Sequence, residues 1–493
     1  METSYYVPDT IADRIEECRN SGGEVLDLTS ISITKVPDCV REFKNLKKLS
    51  LSGTQKLFSK LTIPDWIGEL TNLEYLYIEG PIKTLPESIG NLSALEKLEL
   101  IDTEIETLPE SFGALKALKV FKFEKDYHAI MKKKFRKSRN PFFRDIQYGI
   151  IRLPESFGSL SSLEELYINC NVAALPVSFA NLRNLEVLDI DNERYSNDGE
   201  EKQEMPLVLP AAMGQFSKLK SLALHNVALE PVPDWLGGLS FLRELRIASD
   251  IITGLPDSIG NLGLLETLEI DGSSFSVLPE SIRNLSSLTR LYLYRTKIKT
   301  LPKTIGNLSR LEKIRLLRCT ELESLPDTIG NLRSLKTLYI RGGKLTALPE
   351  SIGNIASLLG LQLQYTVIKD LPASIGNLTN LVLLGIYSSP DIMRPWYYES
   401  DNPPYYYEDE AIEKRSPFTG LPDSASKLAS LKILNLSNTE ITSLPDYLAD
   451  LPALKRLEIA NCNIETIPAS IQRLADSGKL NLLREKDVAF MDL

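Results

Sequence analysis

Five cysteines and two histidines are the scarcest of the side chains in this 493-residue chain that could act as nucleophiles, general bases or metal ligands; carboxylates are abundant, and their pairs are expected on an acidic repetitive sheet without a catalytic role. Packing positions in a repeated structure account for Cys18, Cys319 and Cys462. The remaining thiols are Cys170, which we expect to face the concavity, and Cys39, which follows Pro37-Asp38. Neither has a histidine close by in sequence, and a catalytic thiol needs a base or a positive neighbour that lowers its pKa.

Metal and phosphate chemistry also lack a signature in the sequence. His128 and His225 do not form a cluster with cysteines, which a zinc site requires. No G-x-x-x-x-G-K-[S/T] segment is present to cradle phosphates. We therefore predict a protein without catalytic residues, metal or cofactor. An enzyme that uses Cys170 or Cys39 is kept as the third of three functional hypotheses.

Arginines and tyrosines form a clearer pattern, because they recur at the outward positions of short alternating segments. Side chains alternate across a strand, so these residues would share one face of a sheet. Tyr and Arg are enriched among residues that dominate binding energy. The predicted partner-binding residues on this face are Arg290, Tyr292, Tyr294, Arg315, Arg318, Tyr339, Arg341, Gln362, Tyr365 and Tyr387. The alternative is a solvated sheet whose long side chains only support one another.

A basic stretch at about residues 124–149 interleaves cations with aromatic residues such as Phe142 and Phe143. The predicted contact residues there are Lys132, Lys133, Lys134 and Arg136. Such a stretch could meet anionic lipid, nucleic acid or an acidic protein. It could also pair within the molecule, because the stretch at about 191–205 is acidic.

A third stretch, at about 388–420, is rich in aromatic residues. Its predicted contact residues are Trp396, Tyr397, Tyr398, Tyr405, Tyr406 and Tyr407. Tyr and Trp supply a large contact area at a low entropy cost. The rings would either meet a partner or fold back over the neighbouring sheet as a local lid, and the two readings are compatible.

The element that must position these residues is a repeat. Eight prolines, each after an apolar residue, recur at intervals of 23 or 24 residues from Pro210 to Pro372. One copy reads as a short strand around Leu98 and Leu100, followed by Leu108-Pro109 and a short helical or 3₁₀ turn. A single copy cannot bury its own apolar face, so the copies must stack into one continuous core.

The motif L-x-x-L-x-L-x-x-(N/C/T)-x-(L/I)-x-x-L-P-x-x-(I/F)-G-x-L-x-x-L resembles the leucine-rich repeat over roughly residues 24–475. Its P-x-S-I-G-N-L half is similar to the repeats of intracellular Ras-group and plant disease-resistance proteins. The resemblance implies an α/β solenoid, a leucine-rich-repeat horseshoe of about 17 units of about 23 residues. Its parallel sheet would line the concave face, and short helical or 3₁₀ turns the convex face. One departure is that Thr296 and Cys319 stand where the family usually has Asn.

The predicted organisation follows from where the repeat begins, breaks and ends. The expected parts are an N-terminal helical cap at 1–23, a solenoid at 24–475 and a C-terminal cap at 476–493. The three inserted stretches each follow an intact strand motif, so we expect loops on the rim where the strands end.

Composition limits the class of partner and the compartment. The 56 basic and 66 acidic residues give a net charge of −10, which argues against nucleic acid as the partner. The five cysteines show no paired spacing, and no signal-peptide pattern or run of 18 apolar residues is visible. We therefore expect a cytoplasmic protein; the oligomeric state stays open.

The leading hypothesis is a non-enzymatic protein-interaction module or scaffold. A protein partner would bind the concave face and the rim at the strands' C-terminal ends. The resemblance suggests signalling or host–microbe recognition by analogy. The alternative is a peripheral protein that binds an anionic membrane surface through residues 132–144.

Overall fold

A computed structural model of the protein describes residues 10–53, 61–124, 151–172, 174–192, 207, 209–227, 229–388 and 415–484. The chain divides into two compact units, residues 1–249 and residues 250–493. Among the described residues, each unit contains a stack of nine short parallel strands, and each strand pairs with the next strand along the chain of that unit. The first pair of strands has one register shift, between Leu28 and Ile33.

The first unit opens with helix α1 (Ile11–Asn20), which contacts the first strand. A capping box fixes its start, because Thr10 and Asp13 each accept a hydrogen bond from the other's backbone. Ile15 and Cys18 are its buried residues. The strands are β1 (Val25–Ile33), β2 (Lys48–Gly53), β3 (Tyr75–Glu79), β4 (Lys97–Ile101), β5 (Val120–Glu124), β6 (Glu165–Asn169), β7 (Val187–Asp191), β8 (Ser221–His225) and β9 (Glu244–Ala248).

The second unit contains nine further strands and helix α2 (Ala469–Asp476). The strands are β10 (Thr267–Asp271), β11 (Arg290–Tyr294), β12 (Lys313–Leu317), β13 (Thr337–Arg341), β14 (Gly360–Gln364), β15 (Leu383–Tyr387), β16 (Ile433–Asn435), β17 (Arg456–Glu458) and β18 (Asn481–Leu483). The segment predicted to be only a cap after residue 475 thus adds a strand to the sheet, since β18 pairs with β17.

A short 3₁₀ segment follows nearly every strand and begins directly after the repeat's proline, which caps it in an extended conformation. In the first unit these segments are Asp38–Glu42, Asp65–Glu69, Glu87–Asn91, Glu110–Ala114, Glu155–Ser159, Val177–Asn181, Ala211–Gln215 and Asp234–Gly238. In the second they are Asp257–Asn261, Glu280–Asn284, Lys303–Asn307, Asp327–Asn331, Glu350–Asn354, Ala373–Asn377, Asp423–Lys427 and Asp446–Asp450. The predicted solenoid of strands and 3₁₀ turns is confirmed.

The core of each unit lies between the strands and the 3₁₀ segments. The second and fourth residues of a strand, such as Leu98 and Leu100, are fully buried. In the first unit the 3₁₀ segments contribute a column of aromatic rings. The rings of Phe112 and Phe157 stack at 5.9 Å between centroids, and those of Phe157 and Phe179 at 6.2 Å. Burying such rings removes a large apolar area from water, which is the main stabilising term of the fold.

Glycine in the S-I-G-N segment allows neighbouring 3₁₀ segments to approach closely. A Cβ added to Gly260 would lie 2.7 Å from the carbonyl oxygen of Ser281 and 2.9 Å from its Cβ. Both distances are shorter than real Cβ contacts. Gly263, three residues later, has no heavy atom within 4 Å of such a Cβ. The recurring glycine is therefore needed for the close spacing between repeats, and not for the conformation of a turn.

Carboxylates of the P-E-S segments cap the 3₁₀ segment of the following repeat. Glu350 accepts from the N–H groups of Ser374 at 3.0 Å and Ala373 at 3.3 Å, and Glu280 accepts from Thr304 at 3.2 Å. The hydroxyl and then the N–H group of Ser374 hold the pKa of Glu350 below its usual range. Glu87 is placed in the same way against Ser111, and its pKa is lowered too.

No helix among the described residues is both long enough and apolar enough to cross a membrane.

Gly260→Ala should lower the free energy of unfolding by about 1–3 kcal/mol, because the new methyl group forces apart two packed backbones. Gly263→Ala is the matched control and should leave stability unchanged or raise it slightly. Urea denaturation followed by circular dichroism measures both. Equal effects of the two substitutions would show that close packing at Gly260 does not constrain the stack.

Replacing Glu87, Glu280 and Glu350 together by Gln should lower the Tm at pH 7. Because their folded pKa values are depressed, these carboxylates stabilise the fold above the unfolded pKa of about 4.3. That contribution is lost as the pH falls through the lower folded value. The difference in Tm from wild type should therefore vanish in acid. The control variant carries the same charge change at other positions, with Glu106, Glu440 and Glu465 replaced by Gln. If the Tm difference between the capping variant and wild type did not depend on pH, the capping role would be refuted.

Candidate partner-binding face

The side chains that point away from the core form what we term the open face of the sheet. They come from the first, third and fifth residues of each five-residue strand. In the second unit, pairing in register sets the third residues of β10 to β15 side by side in one row. That row reads Glu269, Tyr292, Arg315, Tyr339, Gln362 and Gly385. Residues about 23 positions apart in sequence thus become direct neighbours on one surface.

Tyr292 and Tyr294 are packed into this face rather than exposed on it. Their side chains are only 3% and 8% exposed, and their rings stack with centroids 6.2 Å apart. Burial, followed by the charge of Glu269, raises the pKa of Tyr294. The Arg315 guanidinium lies over the Tyr292 ring at 4.9 Å. Both tyrosines were predicted as partner-binding residues of this face; they lie on it but are buried, and Tyr292 forms the platform on which Arg315 lies.

A second arginine is held in a similar way on the next strand, β13. The Arg341 guanidinium lies 5.5 Å from the centre of the Tyr365 ring. On the same strand as Arg341, the Tyr339 hydroxyl donates a hydrogen bond to the side-chain oxygen of Gln364, which is fully buried. Tyr339, Arg341, Gln362 and Tyr365 keep part of their surface exposed. These half-buried side chains are oriented by their neighbours before any partner arrives.

The residue directly after each strand forms a second row, the strand-end turn, in a left-handed conformation. Arg295, Arg318 and Tyr365 have φ values of 55°, 58° and 51°. Their N–H groups extend the sheet pairing; that of Arg318, for example, donates to the Arg341 carbonyl at 2.7 Å. Arg318 and Tyr365 were predicted as sheet positions, which is wrong. Five-residue strands end just before them, so both lie at the edge of the open face.

Other repeats place smaller residues at this left-handed position, namely Gly80, Asp102, Asn226, Gly342, Asn438 and Asn461. Gly has no Cβ to clash there, and the short polar side chains of Asn and Asp tolerate the conformation. Most other residues lose about 1 kcal/mol or more. Arg295, Arg318 and Tyr365 therefore occupy positions at which folding alone favours different residues.

The charge on this part of the open face is predominantly positive. Around β10 to β14, the face and its strand-end turns carry six cationic side chains, Arg290, Arg295, Lys313, Arg315, Arg318 and Arg341. Against these stand three carboxylates, Asp250, Glu269 and Asp271. Arg295 is paired, with its Nε 2.6 Å from Asp271 and its guanidinium 3.3 Å from Asp250. Lys313 was not among the residues predicted from the sequence. Its position in the strand, two residues before Arg315, was the signal that could have placed it on the same face.

We use the name Arg–Tyr face for the open-face and strand-end residues of β11 to β14. Its members are Arg290, Tyr292, Tyr294, Arg295, Lys313, Arg315, Arg318, Tyr339, Arg341, Gln362, Gln364 and Tyr365. Tyr387 lies one strand further on, beside Gln364, and is buried together with Leu383 and Gly385 of β15. The predicted set is thus brought together on one surface, but its degree of exposure varies from residue to residue.

The contact residues predicted in the inserted stretches fall outside the described residues. These are Lys132, Lys133, Lys134, Arg136, Trp396, Tyr397, Tyr398, Tyr405, Tyr406 and Tyr407. The described chain breaks off after Glu124 and Ser388 and resumes at residues 151 and 415. The residues before each gap end a strand of the sheet or directly follow it.

The open face of the first unit is different in charge and pairs its groups internally. The Tyr75 hydroxyl donates to the Glu99 carboxylate at 2.6 Å, and Lys97 lies 3.0 Å from the same carboxylate. On β7, burial raises the pKa of Asp189 despite the opposing charge of the nearby His225. His225 sits on β8 directly beside Asp191.

The five thiols differ in burial: Cys18, Cys170 and Cys319 are buried, and Cys39 and Cys462 are half-buried. Cys170 is 1% exposed and lies in the turn after β6, so the expectation that it faces the concavity is wrong. Burial raises the pKa of Cys319 to about 11, which keeps it protonated at neutral pH. Among the described residues, no group of three or more His, Cys, Asp or Glu side chains is arranged to hold a metal ion.

Sequence families match part of the chain. The family described as "Leucine-rich repeat region" matches residues 233–324 and 315–394. The family described as "Leucine Rich repeats (2 copies)" matches residues 429–472. No curated protein sequence matches significantly. The finer resemblance to Ras-group and plant disease-resistance repeats stays a prediction.

Solved structures show the same fold over most of the chain. A leucine-rich-repeat protein of Leptospira interrogans is similar over 97% of this chain and 99% of its own, with a TM-score of 0.67 and 22% identity. The Toll–Spätzle complex of Drosophila gives a TM-score of 0.62 at 17% identity, over 88% of this chain and 57% of that one. An internalin of Listeria monocytogenes gives a TM-score of 0.50 at 18% identity, over 71% of this chain and 89% of that one. Likeness at these identities shows a shared fold.

Tyr292→Ala should lower the free energy of unfolding by about 3 kcal/mol, because it removes a buried ring and leaves a cavity beneath Arg315. Gln362→Ala changes a half-buried side chain in the same row and should cost less than about 1 kcal/mol. Urea denaturation of both variants tests the difference. A Tyr292→Ala variant as stable as wild type would mean that the ring is not packed in solution.

Proposed function

We propose that this chain, which has the leucine-rich-repeat fold and matches repeat families over residues 233–394 and 429–472, is a non-enzymatic protein-interaction module that binds a protein partner through the Arg–Tyr face. The partner would cover the sheet at β11 to β14 and the strand-end turns beside it. The fold commonly serves as an interaction module, which supports the class of function without naming the partner.

One observation carries the proposal: Arg315 and Arg341 are held over aromatic rings, so that rows of cationic and aromatic side chains share one surface. A guanidinium whose plane stacks on a ring directs its N–H groups sideways, where they can donate to carboxylates. Ordering these long side chains in advance lowers the entropy cost of binding. Arginine and tyrosine are also the residues that most often dominate interface energies.

Roles in signalling or host–microbe recognition, and a cytoplasmic location, remain predictions from the sequence. The alternative of an anionic membrane surface bound through residues 132–144 rests on the composition of that stretch. Salt-sensitive binding to vesicles that contain phosphatidylserine, lost when its lysines are neutralised, would favour that alternative over the Arg–Tyr face.

Affinity capture from lysate of the source cells should separate the Arg–Tyr face from the rest of the surface. The face variant changes Arg290, Arg315 and Arg341 to Ala. The control variant changes Arg283, Arg310 and Arg333 to Ala, three exposed residues in or just after the 3₁₀ segments. Both variants lose the same charge, so only the position of the charge differs.

We expect wild type and the control variant to capture the same protein, and the face variant to lose at least about nine-tenths of it, as the loss of one well-placed hot spot would cause. Circular dichroism and Tm must match between the two variants. Capture that is unchanged in the face variant, or lost equally in both variants, would contradict the proposal.

A further inference from the structure

We infer that the segment bound by the Arg–Tyr face is a short, extended, acidic peptide stretch of the partner. The inference rests on the proposed function and adds the chemistry of the ligand. It follows from three properties of the face: its charge, its extent, and the residues placed at its left-handed turns.

The sign of the charge is opposite to that of the chain as a whole. The full chain has a net charge of −10, whereas the face and its border carry six cations and three carboxylates. Two of those carboxylates, Asp250 and Asp271, already pair with Arg295. A surface of this sign attracts carboxylates and speeds their association.

The extent of the positive surface fits a short ligand. Four neighbouring strands at about 4.8 Å span about 14 Å, which is the length of four or five extended residues. On one side the surface is bounded by Glu269 and Asp271 of β10. On the other side it is bounded by the uncharged Leu383, Gly385 and Tyr387 of β15. The net charge of −10 on the whole chain disfavours nucleic acid as the occupant, so a short positive surface within it favours an acidic peptide.

The left-handed turns add side chains at the edge of the face. Arg295 is one of them, and it pairs with Asp271. Arg318 and Tyr365 occupy the same strained position, with φ values of 58° and 51°. Six other repeats have Gly, Asp or Asn at this position, so the left-handed conformation itself does not require these two long side chains. The Tyr365 ring also lies against the Arg341 guanidinium, which places both groups at this edge. Arg318 and Tyr365 lie at the edge of the face, where an arginine and a tyrosine can contact a ligand that crosses the strands.

Arg318→Gly therefore offers an unusual test, because it should weaken binding without weakening the fold. Gly adopts a φ of +58° without strain, so the Tm should stay equal to that of wild type or rise. The binding probe is a fluorescein-labelled Gly-Ser-Gly-(Glu)₅-Gly-Ser-Gly peptide, and the control peptide carries Gln in place of Glu. Fluorescence anisotropy with the full chain at about 50 mM and about 200 mM salt gives Kd.

We expect the Glu peptide to bind at least about tenfold more tightly than the Gln peptide, since carboxylates meet several cations. Binding of the Glu peptide should be about fivefold weaker or more in Arg318→Gly, and likewise in the variant with Arg290, Arg315 and Arg341 changed to Ala. Raising the salt concentration should weaken binding of the Glu peptide to wild type by a similar factor. The control variant at Arg283, Arg310 and Arg333 should bind as wild type does.

Three results would overturn the inference. Equal affinity for the Glu and Gln peptides would show that carboxylates are not recognised. Equal affinity of wild type and face variant for the Glu peptide would place its binding elsewhere. Tighter binding of a single-stranded thymidine decamer than of the peptide would assign the face to nucleic acid. If the Glu peptide does not bind but capture of a protein from lysate is still lost in the face variant, the acidic-peptide inference is wrong and the proposed function stands.

Discussion

The close approach of neighbouring repeats is the constraint on which the rest of the structure depends. On the strand side, backbone hydrogen bonds hold successive strands at about 4.8 Å. On the opposite side, glycines such as Gly260 let successive 3₁₀ segments touch backbone to backbone. Leucines and the Phe112 column fill the space between these two layers. No repeat can satisfy its backbone and apolar groups alone, so stability comes from contacts between neighbours.

The same constraint creates the candidate site. Because the strands of this unit are evenly spaced and paired in register, residues at the same position of successive repeats lie side by side on the surface. Tyr292, Arg315 and Tyr339 are adjacent for this reason. Side chains as long as these fill the gap between strands and lie on one another. Burial of Tyr292 under Arg315 is thus a consequence of register, and it orients the guanidinium that a partner would meet.

The repeat period, the strand positions and the proline-capped turns could be read from the sequence, because spacing alone determines them. The alternation of side chains also placed Arg290 and Arg341 on the correct face. It could not show that Tyr292 and Tyr294 are buried there, since exposure depends on the size of neighbours a full repeat away. Nor could it locate the end of a five-residue strand, so Arg318 was assigned to the sheet instead of the left-handed turn.

Arginine footprinting would show whether the partner covers the Arg–Tyr face. The purified chain is labelled with phenylglyoxal alone and in source-cell lysate, and each modified arginine is quantified by mass spectrometry. We expect lysate to protect Arg315, Arg318 and Arg341 while Arg283, Arg310 and Arg333 react as before. Unchanged labelling of the first three, or protection of the second three in their place, would contradict the proposal.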